Sequence, residues 1–172
     1  MLFTAKITIV TLYTNHACPW AHRAHVTLRA LKIPYEEVII PLDRPRDPWY
    51  LEVNPRGLVP TIKITTADGK LKDEIITESA IVATFLADLF PHPVFWPRSE
   101  EDPLKRARIT FFVDTWFSKV YTFMFPMLKA EGEEKEKIAS DLVDAIKKEI
   151  EPLLENAAPF FGGSESLTLA EV

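Results

Sequence analysis

The opening part of the chain alternates between strand-like and helix-like patterns, and this succession restricts the possible folds more than any other feature. Residues 5–13 are rich in β-branched and aromatic side chains over the length of a strand. Residues 19–31 carry apolar side chains three or four positions apart, as on one helix face, and Pro34 prevents continuation. Residues 35–42 are strand-like again. A strand, helix, strand succession predicts a right-handed crossover between two parallel strands.

A second group of elements follows in a different order. A short helix is predicted over residues 48–53, because Pro48 suits the first helical position. Residues 61–65 and 71–76 are predicted strands joined by a hairpin turn, and residues 79–89 are a predicted helix. The apolar face expected for this last helix contains Ile81, Phe85 and Leu89. The predicted order is therefore βαβ, a connecting turn, and ββα.

A change of composition divides the chain. Residues 1–90 are predicted to form the α/β domain, and residues 91–101 are proline-rich and predicted to be a linker. Residues 102–172 contain helix-like patterns only, which predicts an all-α second domain. The predicted fold class is α/β followed by all-α.

Two long helices are expected in the second domain. The first begins at the cap Asp102, and the second spans residues 133–157 until Pro152 kinks or ends it. Thr168 and Glu171 have the spacing of a capping box, which is typical of a helix start. The sequence therefore looks cut off inside the all-α domain, just as another helix begins.

Composition excludes several classes of protein. The formal net charge is −5 and no block of basic residues is present, which does not favour nucleic-acid binding. No apolar run approaches the roughly 20 residues that a transmembrane helix needs. Cys18 is the single cysteine, so an internal disulfide is impossible and a reducing compartment, most simply the cytosol, is expected.

Cys18 lies between the first predicted strand and the first predicted helix. A helix N-terminus favours a thiolate, and Pro19 suits the first helical position. The polar or cationic neighbours are Asn15, His16, His22 and Arg23. A lone cysteine can also be a small buried apolar residue, but these neighbours favour a reactive thiol. Since Ala21 stands where a dithiol motif has its second cysteine, an external thiol must resolve any mixed disulfide.

Two further segments have the character of ligand-binding elements. In residues 57–61 the bond between Val59 and Pro60 is either cis, turning the backbone toward a ligand, or an ordinary trans bond at a strand start. Residues 77–79 open a predicted helix, where Glu78 either binds an amino group or takes part in simple N-capping. Together with Cys18, these segments suit a short zwitterionic peptide that carries a thiol.

A metal site is not expected from the sequence. His16, His22 and His25 lie near one another along the chain. The spacing of His22 and His25 puts them on one helix face, but no accompanying set of ligands is evident. Surface or core histidines are the simpler interpretation.

Three motifs resemble the omega class of glutathione transferases, and fungal omega-like members in particular. They are Cys18-Pro19-Trp20-Ala21-His22-Arg23, Asn54-Pro55-Arg56-Gly57-Leu58-Val59-Pro60 and Glu78-Ser79-Ala80-Ile81. The resemblance is specific over residues 1–90 and general in the helical remainder. It implies a thioredoxin-like N-terminal domain, a partial all-helical C-terminal domain, glutathione as co-substrate, no metal, and usually a homodimer.

The resemblance also implies roles near the cysteine. Cys18 would form a mixed disulfide with glutathione, Pro19 would be structural, and Trp20 would lie beside the glutathione. Arg46 falls where the family has a lysine near the glycyl carboxylate. The implied activities are thiol transfer, dehydroascorbate reduction and removal of glutathione from conjugates, with a small electrophile or disulfide as second substrate.

Further roles follow for the two remaining motifs. Leu58 and Val59 would precede a structural cis Pro60 and contribute to the glutathione site. Val59 would pair through its backbone with the cysteinyl unit of glutathione. Glu78 and Ser79 would hold the γ-glutamyl end.

Two alternative functions stay open at this stage. In the first, a hydroxyl group of Tyr13 or Thr14 activates bound glutathione for conjugation, and Cys18 is not the nucleophile. In the second, the fold serves as a non-catalytic binding or assembly module. The cysteine and the Glu78-Ser79 pair disfavour this last alternative, since a scaffold needs neither.

Overall fold

The computed structural model describes residues 9–172, so residues 5–8 of the first predicted strand lie outside the described part. Contacts divide the chain into two compact units, one ending at His92 and one running from Pro93 to Glu171. No helix among the described residues is long and apolar enough to cross a bilayer.

From Ile9 onward, the first unit contains a four-stranded mixed sheet and three helices. Its elements are β1 (Ile9–Thr14), α1 (Pro19–Ala30), β2 (Glu36–Ile39), α2 (Pro48–Val53), β3 (Thr61–Thr65), β4 (Glu74–Thr77) and α3 (Ser79–Leu89). The strand order is β2-β1-β3-β4. β1 pairs with β2 in parallel, and β3 is antiparallel to both β1 and β4. The predicted parallel crossover and the thioredoxin-like fold are confirmed.

Two strands are shorter than the sequence predicts, and in the first of them side chains take over backbone hydrogen bonds. The amide of Leu71 donates to the Thr66 hydroxyl at 3.1 Å, and the amide of Asp73 donates to the Thr65 hydroxyl at 2.9 Å. Asp73 has a φ of 53°, which is outside strand geometry. β4 therefore begins at Glu74. The other shortened strand, β2, ends at Ile39, before Pro41, which has no N–H to donate.

The main core of the first unit lies between the sheet and the helices α1 and α3. It contains Val10, Leu12, Ala24, Leu28, Ile33, Ile62, Ile64, Val82 and Leu86. Burying such side chains is the largest favourable contribution to folding, at about 1.5–3 kcal/mol for each large aliphatic group.

The predicted apolar face of α3 is wrong at Ile81, which is 55% exposed. The helix instead buries Val82, Ala83, Leu86 and Ala87. Ala83 and Ala87 lie on the buried side, where small side chains let helices approach closely, and α3 packs against α1. Periodicity of the large apolar residues therefore misplaced Ile81, whereas Phe85 and Leu89 do pack against the core.

The second unit is helical. Its α-helices are α4 (Pro103–Thr115), α5 (Met124–Lys129) and α6 (Gly132–Ala145). The Asp102 carboxylate accepts from the amide of Lys105 at 2.9 Å, so the predicted cap is confirmed. At the other end of the unit, the amide and hydroxyl of Thr168 both donate to Glu171 Oε2 at 2.8 Å. This confirms the predicted capping box.

Both long helices of the sequence prediction are interrupted. A π turn occupies Trp116–Val120, and a second occupies Ile146–Ile150, followed by a 3-10 turn over Glu151–Leu154. The predicted helix over residues 133–157 is α-helical only as far as Ala145, and the interruption predicted at Pro152 falls in the 3-10 turn. Pro152 has no N–H and its ring clashes with an α-helical carbonyl four residues earlier, so the regular ladder cannot pass it.

The observed face of α3 yields a matched test. Leu86→Ala should lower the free energy of unfolding by about 2–5 kcal/mol, because it leaves a cavity in the core. Ile81→Ala changes an exposed side chain of the same helix and should alter the free energy by only about 0.5 kcal/mol. Urea unfolding followed by circular dichroism measures both. Equal losses for the two variants would contradict the observed orientation.

Candidate functional site

Cys18 is the residue that caps α1, as the sequence predicts. Its amide donates to the carbonyl of Asn15 at 3.0 Å, and its carbonyl accepts from the amides of Ala21 and His22 at 3.1 and 3.3 Å. Pro19 occupies the first helical position. The thiol therefore lies at the end of a helix where unpaired N–H groups favour negative charge.

The thiol is partly buried beside a second apolar cluster of the first unit. The buried members of this cluster are Tyr13, Ala21, Ile40, Tyr50 and Val59. Cys18 Sγ lies 3.9 Å from the carbonyl oxygen of Val59. The structure thus brings together two of the residues that the sequence assigns to the site.

Asn15 fixes the turn that carries the cysteine. Its side-chain amide donates to the carbonyl of Ile40 at 2.9 Å, and its side-chain oxygen accepts from the amide of Ala17 at 2.9 Å. The turn is therefore tied to the chain that follows β2. Sequence reasoning noted Asn15 only as a polar neighbour, and its preference for turns was the available signal.

The bond between Val59 and Pro60 is cis. Both residues are buried, whereas the Leu58 side chain is 39% exposed. The carbonyl of Leu58 accepts from Tyr50 Oη at 2.6 Å and from Asn54 Nδ2 at 2.9 Å. The backbone on the N-terminal side of Val59 is therefore held from one face by two buried side chains.

Tyr50 and Asn54 are supporting residues that sequence reasoning missed. Asn54 Nδ2 also donates to Thr61 Oγ1 at 3.0 Å, and Tyr50 Oη lies 3.1 Å from the same hydroxyl. Burial raises the pKa of Tyr50, which keeps its phenol protonated and able to donate. Asn54 belongs to the Asn-Pro-Arg-Gly segment, but nothing local in that segment shows where its side chain points.

Arg46 is bound to backbone carbonyls. Its Nε donates to Gly57 at 2.8 Å, and its Nη1 donates to Asp43 at 2.7 Å and also to Pro41. These bonds hold the loop before α2 against the segment that leads to Val59. Three bonds of the guanidinium are thus structural, and its role toward a glycyl carboxylate stays a prediction.

Glu78 has a backbone conformation that non-glycine residues rarely adopt. Its φ is 71° and its ψ is 121°, and its side chain makes no capping hydrogen bond to α3. Simple N-capping by this residue is therefore not what the structure shows. The carboxylate instead forms an ion pair with Arg56, a residue to which sequence reasoning gave no role.

Ser79 and Trp20 occupy the starts of two helices. Ser79 is the first residue of α3, is buried, and accepts a hydrogen bond from Arg23 Nη1 at 3.3 Å. Trp20 is the second residue of α1 and is partly buried. Their contacts to glutathione stay predictions.

Strand register places the candidate residues at one end of the sheet. Thr61 pairs with Tyr13 on one side and with Thr77 on the other. The end of β1, the start of β3 and the end of β4 are therefore adjacent. Cys18, Val59 and Glu78 follow or precede these three strand ends by only a few residues.

A hydrogen-bonded group of histidines lies on the other side of the Cys18 turn. Buried His25 places Nε2 2.9 Å from Thr14 Oγ1, and Nδ1 3.5 Å from Glu37 Oε1. His16 Nε2 lies 2.7 Å from Glu37 Oε2. Burial lowers the pKa of His25 although Glu37 opposes the shift, and the hydrogen bond from His16 lowers the pKa of Glu37. Sequence reasoning missed Glu37 because it lies in a predicted strand.

Residues 17–89 match a family model described as the glutathione S-transferase N-terminal domain. The chain is 31% identical over 159 residues to pyrimidodiazepine synthase of Drosophila melanogaster, covering 92% of this chain and 59% of the relative. It is 29% identical over 154 residues to glutathione S-transferase omega-1 of Mus musculus, covering 90% of this chain and 60% of the relative. The chain thus spans about 60% of the length of these curated relatives.

Solved structures give the same picture of the fold. Glutathione transferase Omega 1C from Trametes versicolor is 27% identical with a TM-score of 0.74, over 96% of this chain and 67% of that chain. Omega 3C from the same fungus is 22% identical with a TM-score of 0.75, over 94% of this chain and 64% of that chain, which shows the fold alone. The resemblance to the omega class is confirmed.

Gly57 provides a test of the loop that precedes Val59. Its φ is 61°, and an added Cβ would lie 2.9 Å from Arg46 Cγ. Gly69 has a φ of 71° but meets nothing within 4 Å. Replacing either glycine with alanine should lower the free energy of unfolding by roughly 1–2 kcal/mol, because alanine disfavours the left-handed conformation.

Crowding should add about 1–3 kcal/mol to the cost at Gly57 only. Chemical denaturation of Gly57→Ala and Gly69→Ala measures the difference between them. The close approach of Arg46 would be unimportant if the two variants lost the same stability.

Proposed function

We propose a glutathione-dependent thioltransferase that uses Cys18, because residues 17–89 match the glutathione S-transferase N-terminal domain and the chain resembles the omega class. The supporting observation is the arrangement at one end of the sheet. There, the only cysteine of the sequence caps a helix and lies 3.9 Å from the carbonyl of Val59, beside the cis Pro60.

The proposed reaction has two thiol–disulfide exchanges. In the first, the Cys18 thiolate attacks the glutathionyl sulfur of a mixed disulfide, and the other sulfur leaves as a thiolate that takes a proton from solvent. In the second, the thiolate of another glutathione attacks the glutathionyl sulfur held on Cys18. Oxidised glutathione leaves, and the Cys18 thiolate is regenerated. The second thiol must be external because no other cysteine is present.

Val59 supports a position for the cysteinyl unit of glutathione. An extended peptide can bind to exposed backbone groups in the manner of an added strand. Since Cys18 Sγ lies 3.9 Å from the Val59 carbonyl, a peptide paired with the Val59 backbone would carry its own sulfur close to Cys18. In this proposal, Leu58 and Trp20 lie beside the peptide and Arg46 lies toward its glycyl carboxylate.

Glu78 and Ser79 support a position for the γ-glutamyl end. The start of α3 offers N–H groups and the Ser79 hydroxyl to a carboxylate, and the Glu78 carboxylate offers an ionic partner to an amino group. The uncommon backbone of Glu78 is typical of residues constrained by function. In the present structure Arg56 occupies the ionic partner position, so the ligand's amino group would share or displace it.

The alternative in which a hydroxyl group activates bound glutathione is less well supported. The Thr14 hydroxyl is fully buried and bonded to His25, so it is committed to another contact. Tyr13 remains as the candidate for that alternative, but it is only 7% exposed. A non-catalytic module would not require the uncommon backbone of Glu78 or a cysteine at the helix start.

The remaining features of the proposal follow from the resemblance. The second substrate is a small disulfide or electrophile, and the activities are thiol transfer, dehydroascorbate reduction and deglutathionylation of conjugates. A homodimer in the cytoplasm is proposed on the same ground. The relatives named as omega-class transferases support the broader activity of a glutathione transferase.

The covalent step can be tested by intact mass. Incubation with oxidised glutathione should add one glutathione to the native protein, and reduced glutathione should remove it, because Cys18 is the only thiol. Cys18→Ala is the control and should remain unmodified. An unmodified native protein under non-denaturing conditions would overturn the Cys18 mechanism and favour the hydroxyl or the binding alternative.

The role of Glu78 can be tested by the affinity for reduced glutathione. Glu78→Gln keeps the shape of the side chain but removes its charge, and a charge-assisted hydrogen bond contributes about 1.5–3 kcal/mol. We therefore expect roughly 10- to 100-fold weaker binding in isothermal titration calorimetry. The matched control Glu74→Gln changes an exposed carboxylate on β4 and should bind normally. Equal affinities for the two variants would remove Glu78 from the site.

A further inference from the structure

Three side chains from different elements converge beside the parallel pair of strands. His16 lies in the turn after β1, His25 in α1, and Glu37 in β2. One ligand atom from each lies within 4.8 Å of the other two. We call these three residues the His–Glu cluster. It does not include any residue that the proposed glutathione chemistry uses.

The donor set has the composition of an open metal site. Two imidazole nitrogens and one carboxylate oxygen are the protein ligands in many zinc sites, with water in the fourth position. Two ligands of a tetrahedral ion at about 2.0–2.1 Å lie roughly 3.3 Å apart. His16 Nε2 lies 2.7 Å from Glu37 Oε2 and His25 Nδ1 lies 3.5 Å from Glu37 Oε1, so each histidine faces a different oxygen of the carboxylate. With one ligand atom from each residue within 4.8 Å of the other two, modest side-chain shifts would bring all three to the coordination distance.

Burial leaves one side of the cluster open to solvent. The side chain of His16 is 67% exposed and that of Glu37 is 29% exposed, whereas that of His25 is 11% exposed. The exposed ligands can shift by the small distances that coordination requires, and water can reach the fourth position. His25 provides the fixed ligand.

A supporting hydrogen bond orients the fixed ligand. His25 Nε2 lies 2.9 Å from the hydroxyl of Thr14, which is fully buried, so Nδ1 is the nitrogen that faces Glu37. Histidine ligands in metal sites nearly always bond through the other ring nitrogen in this way. His25 Nδ1 also lies 3.2 Å from the hydroxyl of Tyr35, which a bound ion would displace. His22 is positioned differently, because its Nε2 bonds the carbonyl of His16 at 2.8 Å and thereby supports the turn.

We propose that the His–Glu cluster binds a divalent transition-metal ion, with Zn²⁺ as the best match to its ligands. His16 would bind through Nε2, His25 through Nδ1 and Glu37 through a carboxylate oxygen. Bound metal would link the turn before Cys18 to α1 and β2. Metal binding would therefore raise the thermal stability of the protein, since the unfolded chain does not hold these three groups together.

The test uses the full chain carrying Cys18→Ala, so that the thiolate cannot bind the metal. After treatment with a chelator, the protein is titrated with Zn²⁺ alone by isothermal titration calorimetry and by thermal unfolding. We expect one Zn²⁺ per chain and a higher midpoint of unfolding. Co²⁺ in place of Zn²⁺ should give the visible absorption of a four-coordinate site.

Single substitutions decide which residues bind. His16→Asn and Glu37→Gln should each weaken Zn²⁺ binding more than about tenfold, since even supporting residues of metal sites have effects of about 10- to 100-fold. Both side chains are solvent-accessible, so the fold should tolerate the changes. The matched controls Glu36→Gln, next to Glu37 on β2, and His92→Asn should bind as the parent does.

Three results would overturn the proposal. Absence of Zn²⁺ binding in the parent would mean that the cluster is a hydrogen-bonded ion pair only. Unchanged binding in His16→Asn and Glu37→Gln would assign the metal to other groups, and an equal loss in the controls would show non-specific binding. The mass test of Cys18 is separate, so either proposal can fail while the other holds.

Discussion

The pairing of Thr61 with both Tyr13 and Thr77 is the constraint on which the candidate site depends. Paired residues lie side by side in a sheet, so the register determines which of the turns at the end of the sheet are neighbours. A shift by one residue would turn the buried face of β3 outward and separate the Cys18 turn from Val59. The core between the sheet and the two helices therefore stabilises the fold and also sets the geometry of the thiol.

Buried polar groups then define the backbone around Val59. Tyr50, Asn54 and Thr61 form a network in which each buried group has a partner, and all three donate to the Leu58 carbonyl. Such networks specify one conformation, because any other arrangement would leave polar groups unpaired away from water. Arg46 extends this support through its bonds to loop carbonyls.

The turn between β1 and α1 serves two groups of residues at once. Its backbone places Cys18 at the start of α1, and its His16 side chain contacts Glu37 on β2. Asn15 joins the same turn to the chain after β2. The turn that carries the thiol is therefore hydrogen-bonded both to β2 and to the chain that follows it.

Sequence alone determined the features that depend on neighbours along the chain. The strands and helices of the first unit, the cap at Asp102, the Thr168–Glu171 capping box and the place of Cys18 at a helix start all follow from local periodicity and capping chemistry. Tertiary structure decided which groups meet across the fold. The crossover brings His25 and Glu37 together, and the loop of Arg46 folds onto Gly57. Close packing against α1 decides which face of α3 is buried. The physical reason is that local propensities act over about one turn or one strand, whereas contacts between distant residues arise only when the apolar core packs.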